Sequence, residues 1–323
     1  MSLLEVKNLI AHYLTPFGAV KAVDDVSFSL KKGISMGLAG ESGCGKTTIA
    51  LSIMRILPYP GKVLDGEILF KGTDILKLNQ AELRKIRWKG ISTVFQGAMA
   101  SLNPLFKVGR QIADPIVIHE NVSRDEARKR ARELLELVGI DPSREKNYPW
   151  ELSGGMRQRV MVAMGLACNP DVIIADEPTT ALDVIVAHQV MELIRDLKEK
   201  LDLSMILITH DISVIAQTCD ELAVMYAGKL VEHADVDSIF ENPLHPYTEA
   251  LISSFPSIQG EKRPLKSITG SPADLINPPT GCKFHPRCVY AQEICTINEP
   301  LIENAGDGHT VACHFYHEIE AKR

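Results

Sequence analysis

The sequence lacks an apolar run long enough to cross a membrane, an export signal and an excess of positive charge. Its longest apolar stretch, residues 160–168, is about half the ~20 residues that a membrane-spanning helix needs. The first residues, MSLLEVKNL, contain no basic region followed by an apolar run. Lys and Arg total 35 against 41 Asp and Glu, so the chain has no electrostatic footprint for a nucleic-acid backbone. We therefore expect a chain that is neither exported nor membrane-spanning and has no nucleic-acid partner.

Cysteine is scarce as well, with 7 residues in a chain of 323. That content is too low for a disulfide scaffold, and a chain without an export signal is expected in a reducing compartment. Apolar residues make up 45% and charged residues 24%, the ordinary balance of a globular protein with a sizeable core. The length exceeds that of one typical domain, so the sequence predicts about two domains.

The pattern along the chain predicts an α/β core. Short apolar strands separated by turns occupy the first third, and residues 97–168 or so lack a β pattern, which predicts a helical insert. Apolar strands return at DVIIA and SMILIT with an amphipathic helix between them, as in a parallel sheet covered on both faces. From Asn242 onward prolines are frequent and periodicity fades. We therefore predict a domain of residues 1–255 and a C-terminal extension of residues 256–323.

A glycine-rich segment, called the phosphate loop below, lies between an apolar strand and a helix. It reads Gly40, Glu41, Ser42, Gly43, Cys44, Gly45, Lys46 and Thr47, which fits G-x-x-x-x-G-K-[ST]. The glycines let backbone N–H groups surround a phosphate, Lys46 neutralises phosphate oxygens, and the Thr47 hydroxyl can ligate Mg²⁺. The segment predicts a nucleotide site, to which we also assign Thr48 in the following helix.

Two carboxylates follow a second apolar strand. At its end, Asp176 is placed to hold Mg²⁺ through water, and Glu177 is placed to polarise an attacking water. An acidic pair at a strand end is, taken alone, more often a cap or a surface turn. Joined to the phosphate loop, the pair predicts phosphoryl transfer.

A third motif, LSGGMRQR, opens a helix before that second strand. Ser153, Gly154 and Gly155 form the helix start, which is an anion-binding position. Because the chain's own phosphate loop does not need a second anion site, this helix start is expected to serve the nucleotide of another protomer.

Together with Gln96, with the ALD segment that ends at Asp183 and with His210, these motifs resemble the ATPase subunits of ABC transporters. The resemblance implies a RecA-like α/β core, an N-terminal antiparallel β subdomain and a helical subdomain of about residues 97–168. Met156 departs from the commoner Gln of the LSGG motif, and Cys44 stands where Ser is common. Neither change predicts inactivity, since the Ser and the glycines carry the phosphate contact.

The resemblance also implies a role for each motif residue. Glu177 would be the general base, His210 the γ-phosphate contact and Gln96 a Mg²⁺ ligand that links to the membrane partner. Adenine would stack on Tyr13, with Phe17 as its rival, although a half-buried strand aromatic is the plain alternative for Tyr13. Two chains would sandwich two ATP molecules, using Lys46, Thr47 and Asp176 of one chain and Ser153 and Gly155 of the other, with Gly154 and Asp183 also assigned to the site.

Two C-terminal segments narrow the resemblance. The segments NPLHPYT, residues 242–248, and GCKFHPRC, residues 281–288, are similar to the tail of oligopeptide/dipeptide importer ATPases. The Met-containing LSGGMRQRV is similar to the D-type subunit of those importers. With the tail included, the resemblance covers nearly the whole chain.

Four cysteines crowd the last fifth of the chain, at Cys282, Cys288, Cys295 and Cys313. In a reducing compartment, four thiolates on a metal outweigh two disulfides. Zinc and iron–sulfur both accept four thiolates, and packed cysteines without a metal are the third alternative. The family resemblance implies an iron–sulfur cluster of the four-iron (4Fe-4S) type.

The sequence thus predicts the ATP-hydrolysing motor subunit of a peptide-class ABC importer. By the resemblance, its partners are two transmembrane permease subunits, a paralogous or identical ATPase subunit and, indirectly, an extracytoplasmic substrate-binding protein. The expected location is the cytoplasmic face of the cell membrane. The alternatives are a soluble ABC ATPase acting on DNA or ribosomes, and a metal- or redox-sensing adaptor.

Overall fold

The computed structural model describes residues 2–95, 101–254 and 268–321. Its strands alternate with helices along most of the chain, as the apolar pattern predicts. The strands are β1 Ser2–Thr15, β2 Gly18–Lys31, β3 Ser35–Ala39, β4 Gly61–Phe70, β5 Thr73–Asp74, β6 Ile91–Val94, β7 Val172–Asp176, β8 Ser204–Ile208, β9 Glu221–Tyr226, β10 Lys229–Asp235, β11 Glu303–Gly306 and β12 His309–Val311.

The helices between these strands are short to medium in length, apart from one long helix before β8. They are α1 Lys46–Ile53, α2 Gln80–Ile86, α3 Val108–Glu120, α4 Arg124–Leu137, α5 Gly154–Gly165, α6 Val184–Leu201, α7 Ile212–Thr218, α8 Val236–Glu241, α9 Pro246–Ser253, α10 Glu293–Ile297 and α11 Tyr316–Glu320. Among the described residues, none of the helices combines the length and apolarity needed to cross a membrane.

The chain folds into two compact units. The first, called the helical unit, contains residues 31–35 and 77–208. The second, called the strand-rich unit, contains residues 2–30, 36–76 and the chain from 209 onward. The boundary predicted at residue 255 lies outside the described residues and stays a prediction.

The strand-rich unit contains an antiparallel sheet in the order β2-β1-β4-β5. A second group of strands begins with β3, which pairs in parallel with β9, and continues through β10 and β12 to β11 in antiparallel pairs. Strand β12 belongs to the C-terminal segment, and Val311 pairs with Glu232 of β10. The C-terminal residues therefore extend a sheet of this unit.

The helical unit contains a parallel group in which β6 pairs with β7 and β7 with β8. Every residue of β7 and β8 is buried, which explains their nearly continuous apolar sequences. Helix α6 buries Val190, Met191, Ile194 and Leu197 on one face, as its spacing predicts. The predicted α/β core and N-terminal antiparallel sheet are confirmed.

Side-chain caps fix the helix starts in the helical unit. Ser123 is the N-cap of α4 and accepts a hydrogen bond from the Glu126 N–H at 3.2 Å. Gly139, with a φ of 72°, follows the end of α4. Asp183 is the N-cap of α6, and its side chain accepts a hydrogen bond from the Val186 N–H at 3.0 Å.

Candidate nucleotide site

The phosphate loop joins β3 to α1 in the strand-rich unit, in the position that the sequence predicts. Gly40, Gly43 and Gly45 have φ values of 146°, 81° and 111°, a region that residues with a Cβ rarely adopt. A Cβ on Gly40 would collide with the carbonyl oxygen of Met225, and one on Gly45 with that of Ala22. The loop backbone therefore needs glycine at both ends, where it curls closely past neighbouring strands.

Lys46 is buried at the first position of α1. Its Nζ donates to the carbonyl oxygens of Gly40 at 2.7 Å and Glu41 at 3.0 Å. Cys44 is buried beside it, with Sγ 3.5 Å from Nζ, and burial raises the pKa of this thiol. The ammonium group is thus held inside the loop, where it can neutralise phosphate oxygens.

The other predicted residues of this unit surround α1 or follow β8. Thr47 is exposed and Thr48 buried at the start of α1. The hydroxyl oxygens of Tyr13 and Thr48 are 3.4 Å apart, so Tyr13 lies beside the helix that carries the loop lysine. Phe17 is 88% exposed in the turn between β1 and β2, and His210 is exposed before α7.

The acidic pair lies at the end of β7 in the helical unit. Asp176 is 2% exposed and is the last residue of the strand. Glu177 has a φ of 44°, which is uncommon for a residue with a side chain. Its N–H donates to the Ile208 carbonyl at 2.8 Å, and the Thr180 hydroxyl donates to Glu177 Oε2 at 2.7 Å. The Thr180 hydroxyl, three positions further along the chain, therefore orients the Glu177 carboxylate. The sequence did not reveal this contact.

The Ser-Gly-Gly helix start is formed as predicted. Ser153 accepts a hydrogen bond from the Met156 N–H at 3.3 Å and begins α5. A Cβ on Gly155 would lie 2.5 Å from a methyl carbon of Val186, so glycine is required for the close approach of α5 and α6. Gly154 faces Leu182 in the segment before Asp183. Gln96 lies outside the described residues.

The C-terminal segment contacts the phosphate loop within the strand-rich unit. Arg287 donates from Nη1 and Nη2 to the two carboxylate oxygens of Glu41, at 2.7 and 2.9 Å. The Glu41 N–H donates to the hydroxyl oxygen of Tyr247 at 2.8 Å. The sequence contained Arg287 and Tyr247 in the two segments that resemble the importer tails, but it gave no sign that they meet this loop.

The predicted metal centre is contradicted. Cys282, Cys288, Cys295 and Cys313 line one small cavity together with aromatic, aliphatic and histidine side chains, and none forms a disulfide. No group of three or more His, Cys, Asp or Glu in the part of the chain that the structure describes is arranged to hold a metal ion. Burial raises the pKa of the thiols of Cys282 to about 11 and Cys313 to about 12. The expected iron–sulfur cluster, and zinc with it, do not fit this site.

The fold and the loop define a class of protein. A glycine-rich phosphate loop between a strand and a helix, in one chain with an acidic strand end and a Ser-Gly-Gly helix start, is the arrangement of an ABC-type ATPase. The family model for ABC transporters matches residues 23–180. The model for the oligopeptide/dipeptide transporter C-terminal region matches residues 231–295.

Named relatives are similar over nearly the full chain. The oligopeptide transport ATP-binding protein AppD of Bacillus subtilis (strain 168) is 45% identical, covering 100% of this chain and 99% of the relative. The protein OppD of the same organism is 48% identical over 98% of this chain and 89% of its own. The dipeptide transport ATP-binding protein DppD of Escherichia coli (strain K12) is 42% identical over 98% and 97%.

Solved structures agree. A dimeric post-hydrolysis structure of the ATP-binding cassette MJ0796 with ADP and Pi has a TM-score of 0.65 and 30% identity, covering 72% of this chain and 98% of that one. This chain belongs to the family of ATP-binding subunits of oligopeptide/dipeptide ABC transporters. It is an ABC-type ATPase, and ATP hydrolysis is its activity.

Proposed function

We propose that this ATPase is the motor subunit of a peptide-class importer and works as one of two ATPase subunits on two membrane permease subunits. The observation that carries the proposal is the formed phosphate loop in a chain whose C-terminal region matches that of oligopeptide/dipeptide transporters. The relatives' names, oligopeptide and dipeptide transport ATP-binding proteins, support the peptide class of cargo.

The roles proposed in hydrolysis belong to the phosphate loop, to the acidic pair and to the residues beside them. Bound ATP and Mg²⁺ supply the phosphoryl group and the charge that these residues position. By the family resemblance, Lys46 would neutralise phosphate oxygens and the Thr47 hydroxyl would ligate Mg²⁺. The Asp176 carboxylate would hold Mg²⁺ through water. Glu177, fixed by the Thr180 hydroxyl, orients water and takes its proton. Little covalent chemistry is needed, because positioning and electrostatic stabilisation carry phosphoryl transfer.

The Ser153 helix start is proposed to act on the nucleotide of the partner ATPase. Ser153, Gly154 and Gly155 present the positive end of a twelve-residue helix, α5. The MJ0796 cassette was solved as a dimer with ADP and Pi, which supports a paired arrangement. By the same family resemblance, we propose that Tyr13 stacks on adenine, that His210 contacts the γ-phosphate and that Gln96 ligates Mg²⁺. Asp183 is proposed to belong to the same nucleotide site.

The proposed partners are two transmembrane permeases, an ATPase subunit that is a paralogue or a second copy, and a substrate-binding protein outside the membrane. The proposed place of work is the cytoplasmic face of the cell membrane. Two alternatives are weaker. Relatives named for transport disfavour an ATPase acting on DNA or ribosomes. A metal- or redox-sensing adaptor is disfavoured because the described part of the chain contains no group arranged to hold a metal.

Purification from native membranes tests the partners. We expect the tagged chain, solubilised with mild detergent, to bring down two permease chains with several apolar spans each and an ATPase chain, identified by mass spectrometry. A Lys46→Ala chain should bring down the same partners, because its loop lysine binds nucleotide rather than permeases. Recovery of ribosomal or DNA-repair proteins in place of permeases would contradict the proposal.

A further inference from the structure

The strongest feature without a role is the ion pair between Arg287 and Glu41. Its two side chains are 246 positions apart in the sequence, and they form two parallel N–H to carboxylate hydrogen bonds. Such bidentate pairs are among the strongest polar contacts in proteins. The Arg287 side chain is only 5% exposed and that of Glu41 is 23% exposed, so water screens the pair weakly.

Arg287 is itself held firmly. Its Nε donates to the Thr269 carbonyl at 2.8 Å, and its guanidinium lies 5.8 and 6.0 Å from the ring centroids of Tyr226 and Phe284. The remaining guanidinium nitrogens face Glu41, and Nη1 is also 3.4 Å from the Tyr226 hydroxyl oxygen. The guanidinium is therefore aimed at one carboxylate of the phosphate loop and has little freedom to leave it.

Glu41 is fixed through its other groups as well. Its N–H donates to Tyr247, which is fully buried, and its carbonyl oxygen accepts from Lys46 Nζ. The side chain, the N–H and the carbonyl of one loop residue are thus all occupied by specific partners. Two of these three partners, Tyr247 and Arg287, come from the C-terminal part of the chain.

A carboxylate in a loop that binds an anionic triphosphate poses an electrostatic problem. Like charges repel, and the repulsion grows in a partly buried site. A neutralised Glu41 removes that repulsion and keeps the backbone N–H groups of the loop in one arrangement. We propose that Arg287 is a positioning residue for ATP binding, which neutralises Glu41 and fixes the phosphate loop for the triphosphate. This inference rests on the proposed role of the phosphate loop in holding ATP.

A second ion pair in the same segment separates this role from simple anchoring. Lys283 Nζ donates to Asp24 Oδ2 at 2.8 Å and to the Ala227 carbonyl at 3.2 Å. It attaches the C-terminal segment to β2 without touching the phosphate loop. Loss of Lys283 should remove this attachment and leave the pair between Arg287 and Glu41 in place, whereas loss of Arg287 should leave the Glu41 carboxylate without its cation.

The test compares ATP affinity in Arg287→Gln with the unaltered full chain, by titration of ATP and Mg²⁺ and by steady-state hydrolysis in the assembled complex. We expect the Kd and the KM for ATP to rise about tenfold, with kcat at saturating ATP changed by less than about twofold. High salt should shrink the affinity defect, because it screens the exposed carboxylate. The double variant Glu41→Gln/Arg287→Gln should regain most of the lost affinity.

Matched variants make the result decisive. Arg128→Gln breaks a second bidentate pair, in which Arg128 donates to Glu145 at 3.0 and 3.1 Å in the helical unit, and it should not alter ATP affinity. Lys283→Gln should likewise leave the affinity unchanged. An equal loss in Lys283→Gln and Arg287→Gln, or no recovery in the double variant, would overturn the positioning role. If Lys46→Ala retained full affinity, the phosphate-loop assignment itself would fail.

Discussion

Replacing Glu177 with Gln is expected to lower ATP turnover roughly 100-fold or more, while ATP binding persists. The substitution keeps the shape of the side chain and an oxygen that can still accept from the Thr180 hydroxyl. It removes the charge that takes a proton from the attacking water. Lys46 and Asp176 remain, so the nucleotide should stay bound and ATP-stabilised dimers should accumulate.

Turnover is measured as phosphate release by the assembled complex, and dimers by size-exclusion chromatography with ATP. Glu192→Gln is the matched control, because Glu192 is an exposed carboxylate on α6 of the same unit that pairs with His188. It should leave turnover unchanged. Retention of half or more of the original turnover by Glu177→Gln would remove this residue from the general-base role.

Replacing Ser153 with Arg should abolish ATP-dependent pairing and hydrolysis, but leave ATP binding to the single chain intact. Arg places a long cation at the start of α5, where the proposal puts the partner's triphosphate. The chain's own phosphate loop lies in the other unit and keeps its glycines and Lys46. In a pair of identical chains, each of the two nucleotide sites would contain one altered helix start. We therefore expect turnover to fall roughly 100-fold.

The change also removes a helix cap, which costs about 1 kcal/mol. Ser123→Arg controls for that cost, because Ser123 caps α4 through the same serine-to-N–H contact at 3.2 Å. This control should keep its turnover. A Ser153→Arg chain that loses ATP affinity as a monomer, to the extent that a Lys46→Ala chain does, contradicts action on the partner's nucleotide.

Local sequence signals predicted the parts of the site that short-range physics determines. The phosphate loop needs glycine where φ is positive, and Gly40 and Gly45 have such values with carbonyl groups against them. The helix start at Ser153 was likewise visible, because Ser153 and the Met156 N–H that donates to it lie three residues apart.

Contacts between distant segments were not visible. Arg287 stands in a segment that resembles the importer tails, but its pairing with Glu41 depends on how β10 and the C-terminal segment pack beside the loop. The left-handed backbone of Glu177 was equally hidden, since glutamate has no preference for that region. A pairing across the whole chain can be found only from the fold.

The four cysteines were visible in the sequence, but the metal centre that we predicted from them was wrong. Their crowding suggested a metal centre, because thiolates in a reducing compartment often hold one. Sequence spacing does not determine whether four sulfur atoms converge with the geometry that a metal requires. In the described residues the four cysteines line one cavity as free thiols, with Phe284 and Phe315 among its walls. Composition was a poor guide here, because it counts cysteines without showing how their sulfur atoms are arranged.

The most direct test of the proposed motor role is ATP-driven peptide transport by the purified complex in sealed vesicles. The complex is reconstituted with its permeases, a labelled peptide and the substrate-binding protein are placed inside the vesicles, and ATP with Mg²⁺ is added outside, where ATPase subunits face the medium. We predict that peptide leaves the lumen into the medium only with hydrolysable ATP, and that Glu177→Gln and Lys46→Ala complexes move none. Equal transport with and without ATP, or by the Glu177→Gln complex, would contradict a motor role.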